Sequence, residues 1–221
     1  MKTLLVIMCY GGDLERIQRH LPFWRESGCD LLFVSPVDDP IRFEQVGHPC
    51  AQYALSEHHG VELIRRHIFA FNYSLLHSVE YDAFSFIEAD SITLGAIPDH
   101  PCGGLRCFVW ENTSKPRFQA DHYFHWPLWA DRSTLAHIAS VARTDEPEEG
   151  FPDRWLALLC ERHSIPFTHE PRAFSRNQLD NPDYMQSAVD AIKAGAIWVH
   201  GVKTKEQLEE LCSRAGIQKP S

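Results

Sequence analysis

The sequence predicts an α/β protein built on a mixed, mostly parallel sheet flanked by helices, and three stretches carry that expectation. Thr3 to Met8, Leu31 to Ser35 and Ala83 to Ile87 are short apolar runs, the pattern of strands covered on both faces. Helical spacing separates them: Leu14, Ile17, Leu21 and Trp24 before the second run, and a longer pattern before the third. That alternation builds a doubly wound sheet whose loops meet at one edge. With 221 residues and 44% apolar content the chain can bury a sizeable core, and we read residues 1–221 as a single domain.

Taken in order, Cys9-Tyr10-Gly11-Gly12 is a loop after the first run, and Asp13 is placed to cap the following helix. Pro22 is expected to kink or interrupt that helix and Gly28 to end it. Pro36 to Pro40 closes the second run. From Glu57 to Glu80, Val61, Ile64, Ile68, Phe71, Leu75 and Val79 share one helical face, which Arg65 flanks and from which Arg66 points away.

The second half begins with the turn-rich Pro98 to Gly104 and a short strand at Cys107 to Trp110. Asp121 to Ala130, DHYFHWPLWA, is dense in aromatics and histidines and reads as a pocket wall. Asp131 or Ser133 caps a helix over Thr134 to Val141, and an acidic surface loop follows. Pro152 and Asp153 open another helix with Trp155, Leu156, Leu159 and Cys160 inward. Pro171 to Tyr184 is polar and contains prolines, and reads as a mobile or substrate-facing loop. Ala196 to Val199 is a strand ending at His200-Gly201, and Thr204 caps a closing amphipathic helix.

Charge and cysteines narrow the functional classes. With 30 acidic residues against 21 basic ones, a net charge of -9 argues against nucleic-acid partners and polybasic membrane contact. Seven cysteines without a CxxC pair read as reduced thiols of a cytoplasmic protein. The opening MKTLLVIMCYGGD fits a first strand better than a signal peptide, and no run is long enough to span a bilayer.

The stretch with the most chemical content is FSFIEADSITL. A buried run stops at Glu88-Ala89-Asp90, so two carboxylates at i and i+2 leave the strand end on the same side. Adjacent carboxylates repel unless a cation lies between them, and a hard divalent ion is the usual solution. The competing reading is two solvated acids at a strand end.

The acid-x-acid pair after a buried strand, the order of elements and the late WVHGVK segment together resemble a nucleotide-sugar glycosyltransferase of the GT-A fold, a Rossmann-like architecture, from Thr3 to about Lys205. The resemblance implies a nucleotide-binding half, 1–95, and an acceptor-side half with a C-terminal metal-ligand segment, 96–221. It implies Mn²⁺ or Mg²⁺ on Glu88, Asp90 and His200, bridging the diphosphate of a UDP- or GDP-linked sugar. The first acid is a glutamate where the family has aspartate, and an imidazole among carboxylates suits Mn²⁺. Nucleotide contacts would come from Tyr10, Asp38, Asp39, Arg65, Ala89 and Lys203, although adjacent aspartates are also ordinary turn residues. Asp153 is the candidate base for an acceptor hydroxyl, with Glu149 as a substitute; an acid in a helix's first turn is also favoured by the macrodipole. The resemblance is silent on inverting against retaining chemistry.

His122, His125, Trp126 and Trp129 are acceptor-site candidates because aromatic faces stack on sugar rings and imidazoles bond hydroxyls; the competing reading is an aromatic core. The spacing of His122 and His125 lacks the glutamate of a metallohydrolase. Two further functions stay open: a nucleotidyltransferase-like, phosphate-handling α/β enzyme, disfavoured by the lack of a glycine-rich phosphate loop, and a non-catalytic nucleotide- or glycan-binding protein.

Overall fold

Strand β1 (Thr3–Met8) is buried at every position, and its alternating side chains feed two separate cores. Leu4, Val6 and Met8 face one, while Leu5, Ile7 and Cys9 face the other, as the two-residue period of a strand requires. The structure, a computed structural model, describes residues 2–54, 61–97, 103–111, 122–145, 152–176 and 178–220. Parallel to β1 lie β2 (Asp30–Pro36) on one side and β4 (Ala83–Glu88) on the other, and β3 (Cys50–Tyr53) extends the β2 edge. Beyond β4, β7 (His122–Asp131) runs antiparallel to both β4 and β6 (Leu105–Glu111), and β8 (Phe167–His169) pairs parallel with β6. The order β3-β2-β1-β4-β7-β6-β8 makes a mixed, mostly parallel sheet with helices on its faces, a single Rossmann-like α/β arrangement.

Helix α1 (Leu14–Arg25) covers one face, with Ile17, His20, Leu21, Phe23 and Trp24 buried. It runs unbroken through Pro22, contrary to the expected interruption. Proline removes a single helical N–H, and burial of Leu21, Phe23 and Trp24 around it carries the helix through. The other face carries α3 (Val61–His77), α4 (Arg132–Val141) and α5 (Pro152–Arg162). Asp131 is the cap of α4, accepting a hydrogen bond from the Thr134 amide at 2.7 Å. The apolar face of α3 ends sooner than its pattern suggested: Ile64 and Phe71 are buried, whereas Val79 lies beyond the helix at 75% exposure.

A second, three-stranded sheet has the order β5-β10-β9, from β5 (Ser91–Thr93), β10 (Trp198–His200) and β9 (Ala173–Ser175). It packs against α6 (Pro182–Lys193) and α7 (Lys205–Ala215) through Ile92, Phe174, Val199, Met185 and Leu211. One expectation is corrected here. Pro171 to Tyr184 contains the buried strand β9 and the start of α6, for which Asn181 is the cap and Pro182 the first residue. The histidine-rich stretch from residue 122 is a central strand of the main sheet, and Tyr123 to Trp126 and Leu128 line cavities, as expected of a pocket wall. The short helix α2 (Phe43–Val46) and strand β3, which the sequence did not suggest, have only four residues each. No disulfide joins the six described cysteines, and no helix among the described residues is long and apolar enough to cross a membrane.

His67 of α3 is almost fully buried, stacks on Trp126 with ring centroids 5.2 Å apart, and donates from Nδ1 to the Leu63 carbonyl. Burial, with Arg66 beside it, lowers its pKa to about 3. The folded protein therefore binds fewer protons than the unfolded chain below the ordinary histidine pKa. Its contribution is intact above about pH 6.5 and erodes as pH falls toward 3, by about 2 kcal/mol between pH 7 and pH 5. Urea unfolding at those two pH values should show that loss shrinking by a similar amount in His67→Phe.

Candidate functional site

The main sheet reverses its winding between β1 and β4, and in open α/β sheets the crevice at the carboxyl ends of such strands is the usual ligand site. Tyr10 follows β1 and Glu88 ends β4. Arg66 of α3 spans the crevice, donating to the Tyr10 hydroxyl at 2.7 Å and to Glu88 Oε1 at 2.9 Å. Its guanidinium also lies 5.3 Å from the centre of the Tyr10 ring. The expected orientations of the two arginines are thus reversed: Arg66 is only 3% exposed and reaches the crevice, whereas Arg65 is on the exposed side of α3. Neighbouring residues lie 100° apart on a helix, and the apolar pattern alone does not decide which of two flanking positions meets the crevice.

After Glu88 the chain leaves the large sheet and enters the small one. Ala89 is buried, and its amide donates to the Met8 carbonyl at 3.1 Å. Helix α1 holds the crossing from behind. His20 Nδ1 donates to the Ala89 carbonyl and Trp24 Nε1 to the Ser91 carbonyl, each at 2.9 Å, while Thr93 Oγ1 donates to the Phe23 carbonyl. Asp90 thereby sits where β5 meets β10. Its carbonyl accepts from the Gly201 and Val202 amides, and Gly201, at φ +97°, adopts a turn open to glycine. Register does the rest: His200 pairs with Ser91 of β5 on one side and with Ser175 of β9 on the other.

Glu88, Asp90 and His200 each present one ligand atom within 4.8 Å of the others. The set fits a divalent cation. Asp90 Oδ1 is buried without a hydrogen bond and meets His200 Nδ1 at 3.0 Å as an ion pair. Glu88 is oriented through Oε1 by Arg66, and its side chain remains 34% exposed toward the crevice. Burial alone would raise the Asp90 pKa, but His200, Lys203 and Arg16 together hold it below the usual carboxylate range. For His200 the same burial works downward and is outweighed by the Asp90 carboxylate, so its pKa is raised. Two carboxylates and an imidazole make a mixed oxygen and nitrogen donor set that could hold a divalent metal ion.

A cavity of about 220 Å³ opens beside the cluster, lined by Glu88, His200, Arg66, His67, His125, Trp126 and Asp153 over an apolar floor. Asp153 lies in the first turn of α5, where burial raises its pKa against the pull of Arg154, with Glu88 adding a smaller push. His125 Nε2 stands 3.8 Å from Asp153 Oδ2, and burial, reinforced by His200 and Arg176, lowers its pKa to about 4. Glu149 lies outside the described residues.

Other expected site residues fall elsewhere. Trp129 is fully buried against Trp198 and is a core residue, because its position on β7 faces the α1 side of the sheet. His122 meets Glu161 at 3.1 Å and Phe167 and does not line the cavity, so of the four acceptor candidates only His125 and Trp126 do. Asp39 is a loop clamp: its carboxylate accepts from the Gly12 amide and its carbonyl from the Gly11 amide. A Cβ at Gly11 would stand 2.1 Å from Asp39 Oδ1, which explains the glycine. Asp38 and Lys203 are exposed, and the Lys203 charge still reaches Asp90 and His200. No protein-family model matches the chain, and no curated protein matches it in sequence.

Arg66→Met should remove both bonds across the crevice and leave Glu88 without its cation. Because Glu88 is about a third exposed, the expected loss is about 1–3 kcal/mol rather than that of a fully buried pair, measurable by chemical denaturation.

Proposed function

We propose that the protein is a metal-dependent glycosyltransferase that uses a nucleotide-diphosphate sugar. The observation that carries this reading is the meeting of Glu88, Asp90 and His200 at the carboxyl ends of the parallel strands, beside a cavity that also holds Asp153. A divalent cation on those three residues, Mn²⁺ by preference, would offset the charge that builds on a departing diphosphate. Arg66 adds a fixed positive charge at the same crevice, set between Tyr10 and Glu88. The switch-point crevice beside Tyr10 suits a nucleoside diphosphate, UDP or GDP, and the cavity on the β7 side suits the sugar and the reacting hydroxyl of its acceptor.

In the transfer step the acceptor hydroxyl oxygen bonds to the anomeric carbon as the bond from that carbon to the diphosphate oxygen breaks. The bonding pair leaves with the diphosphate. Asp153 would take the hydroxyl proton, and its raised pKa supports that role because it makes the carboxylate a stronger base than an exposed aspartate. His125, neutral near pH 7, can hold the hydroxyl in place without competing as an acid. The apolar floor of Phe124, Leu128 and Leu156 limits water around the reacting groups.

Thermal shift with UDP, GDP and CMP, each with and without Mn²⁺, tests the reading. One nucleoside diphosphate should stabilise the protein only with metal, by about 2.7 kcal/mol at a hundredfold excess over Kd. Asp90→Ala should abolish that increment; no metal-dependent stabilisation with any nucleotide would overturn the proposal. Asp153→Asn should leave the increment in place while slowing transfer by about 10²-fold or more, followed as released nucleotide. Unchanged turnover would remove Asp153 from the base role.

A further inference from the structure

Beside the cavity at the cluster lies a second one, of about 290 Å³, lined by Trp110, Tyr123, His125, Ser175, Arg176 and Tyr184, with Gln178 at its edge. The two share His125, whose ring centroid is 6.4 Å from that of His200 and 6.4 Å from that of Trp110. The charge character changes between them. Among the described residues, the first holds two carboxylates, Glu88 and Asp153, whereas the second has no acidic residue in its wall and a single formal charge, Arg176.

That arginine is held by aromatic faces. Its guanidinium lies 3.8 Å from the centre of the Trp110 ring and 5.1 Å from that of Tyr184. Among the described residues no carboxylate pairs with it. Arg106 and Arg172, by contrast, both pair with the buried Glu170. Stacking on Trp110 fixes the plane of the guanidinium and leaves its edge N–H groups to a planar or tetrahedral oxyanion. Ser175 provides a second sign of a ligand: it is 1% exposed, its Oγ has no hydrogen-bond partner, and it sits beside His200 in the small sheet. A buried hydroxyl without a partner costs free energy that a ligand oxygen would recover. Trp110, Tyr123 and Tyr184 add flat surfaces suited to a sugar ring.

We propose that this second cavity is the acceptor subsite, and that it takes a hydroxylated ring carrying one carboxylate or phosphate group seated on Arg176. The proposal rests on the transferase reading for its role as acceptor site. Its binding chemistry rests on the cavity alone. An anion there would lie on the far side of His125 from the metal ligands, which leaves the diphosphate and the acceptor anion in separate positive environments within an acidic protein.

Calorimetric titration of the full chain with glucuronate, glucose 6-phosphate and glucose tests this, run beside the Mn²⁺ and nucleotide thermal shift. At least one anionic sugar should bind tenfold or more tightly than glucose, and Arg176→Gln should erase that preference while the metal-dependent nucleotide shift persists. Preference for glucuronate identifies a carboxylate ligand, and preference for glucose 6-phosphate a phosphate. Arg176→Lys, which retains the charge, should retain part of the preference and serves if the glutamine variant does not fold. Equal affinity for charged and neutral sugars, no sugar binding, or a preference that survives in Arg176→Gln would overturn the subsite. Anion preference without any metal-dependent nucleotide shift would uphold the binding site and overturn its role as acceptor site.

Discussion

The architecture of the site depends on one event in the chain path, the passage from the large sheet to the small one at Ala89 and Asp90. A strand that ends in water could leave its two acids to diverge. Here the backbone is held on both sides of the crossing, by the Met8 carbonyl and His20 at Ala89 and by Trp24 at Ser91. Asp90 then receives the amides that follow β10. Most of these polar groups are buried, and each unmade bond would cost more than a made one contributes, so the crossing is constrained by its alternatives as much as by its contacts. The position of His200 follows from that register.

The electrostatics of the crevice build on the same frame. Arg66 and His200 bring positive charge to Glu88 and Asp90 respectively, and each reaches the crevice from a different element, α3 and β10. Burial raises the cost of leaving any of these groups unpaired. Asp153 and His125 lie slightly farther out, and for both the largest influence on protonation is desolvation, which raises the acid and lowers the imidazole. The acid thus moves toward neutral pH, while the imidazole moves away from it and is left uncharged there.

Histidines illustrate how one residue type takes several parts in one fold. His20 is a buried bolt between α1 and the crossing, His67 a neutral wall group stacked on Trp126, His122 a surface partner of Glu161 and His200 a candidate metal ligand. Their surroundings differ more than their sequence neighbourhoods do. The same holds for the tryptophans: Trp129 and Trp198 pack on each other in the core, while Trp110 supports Arg176 at a cavity wall.

The sequence by itself determined the α/β class, the central strands, the capped helices after Asp131 and Thr204, and the carboxylate pair at a strand end, because these are local consequences of side-chain period and capping chemistry. Association of His200 with that pair came from resemblance, since no local rule links Ser91 and His200 across 109 residues. Only the tertiary structure decided which side of α3 meets the crevice, and so that Arg66 rather than Arg65 holds Glu88. It also made the pocket wall from His122 onward a strand with two faces, keeping His125 and Trp126 at the cavity and sending Trp129 to the core. Arg176 was hidden in a stretch that reads as a loop, and the short strand β9 that positions it exists through pairing with β10. The physical reason is common to all three. Periodicity tells which residues share a face, but what that face meets depends on non-local pairing and packing.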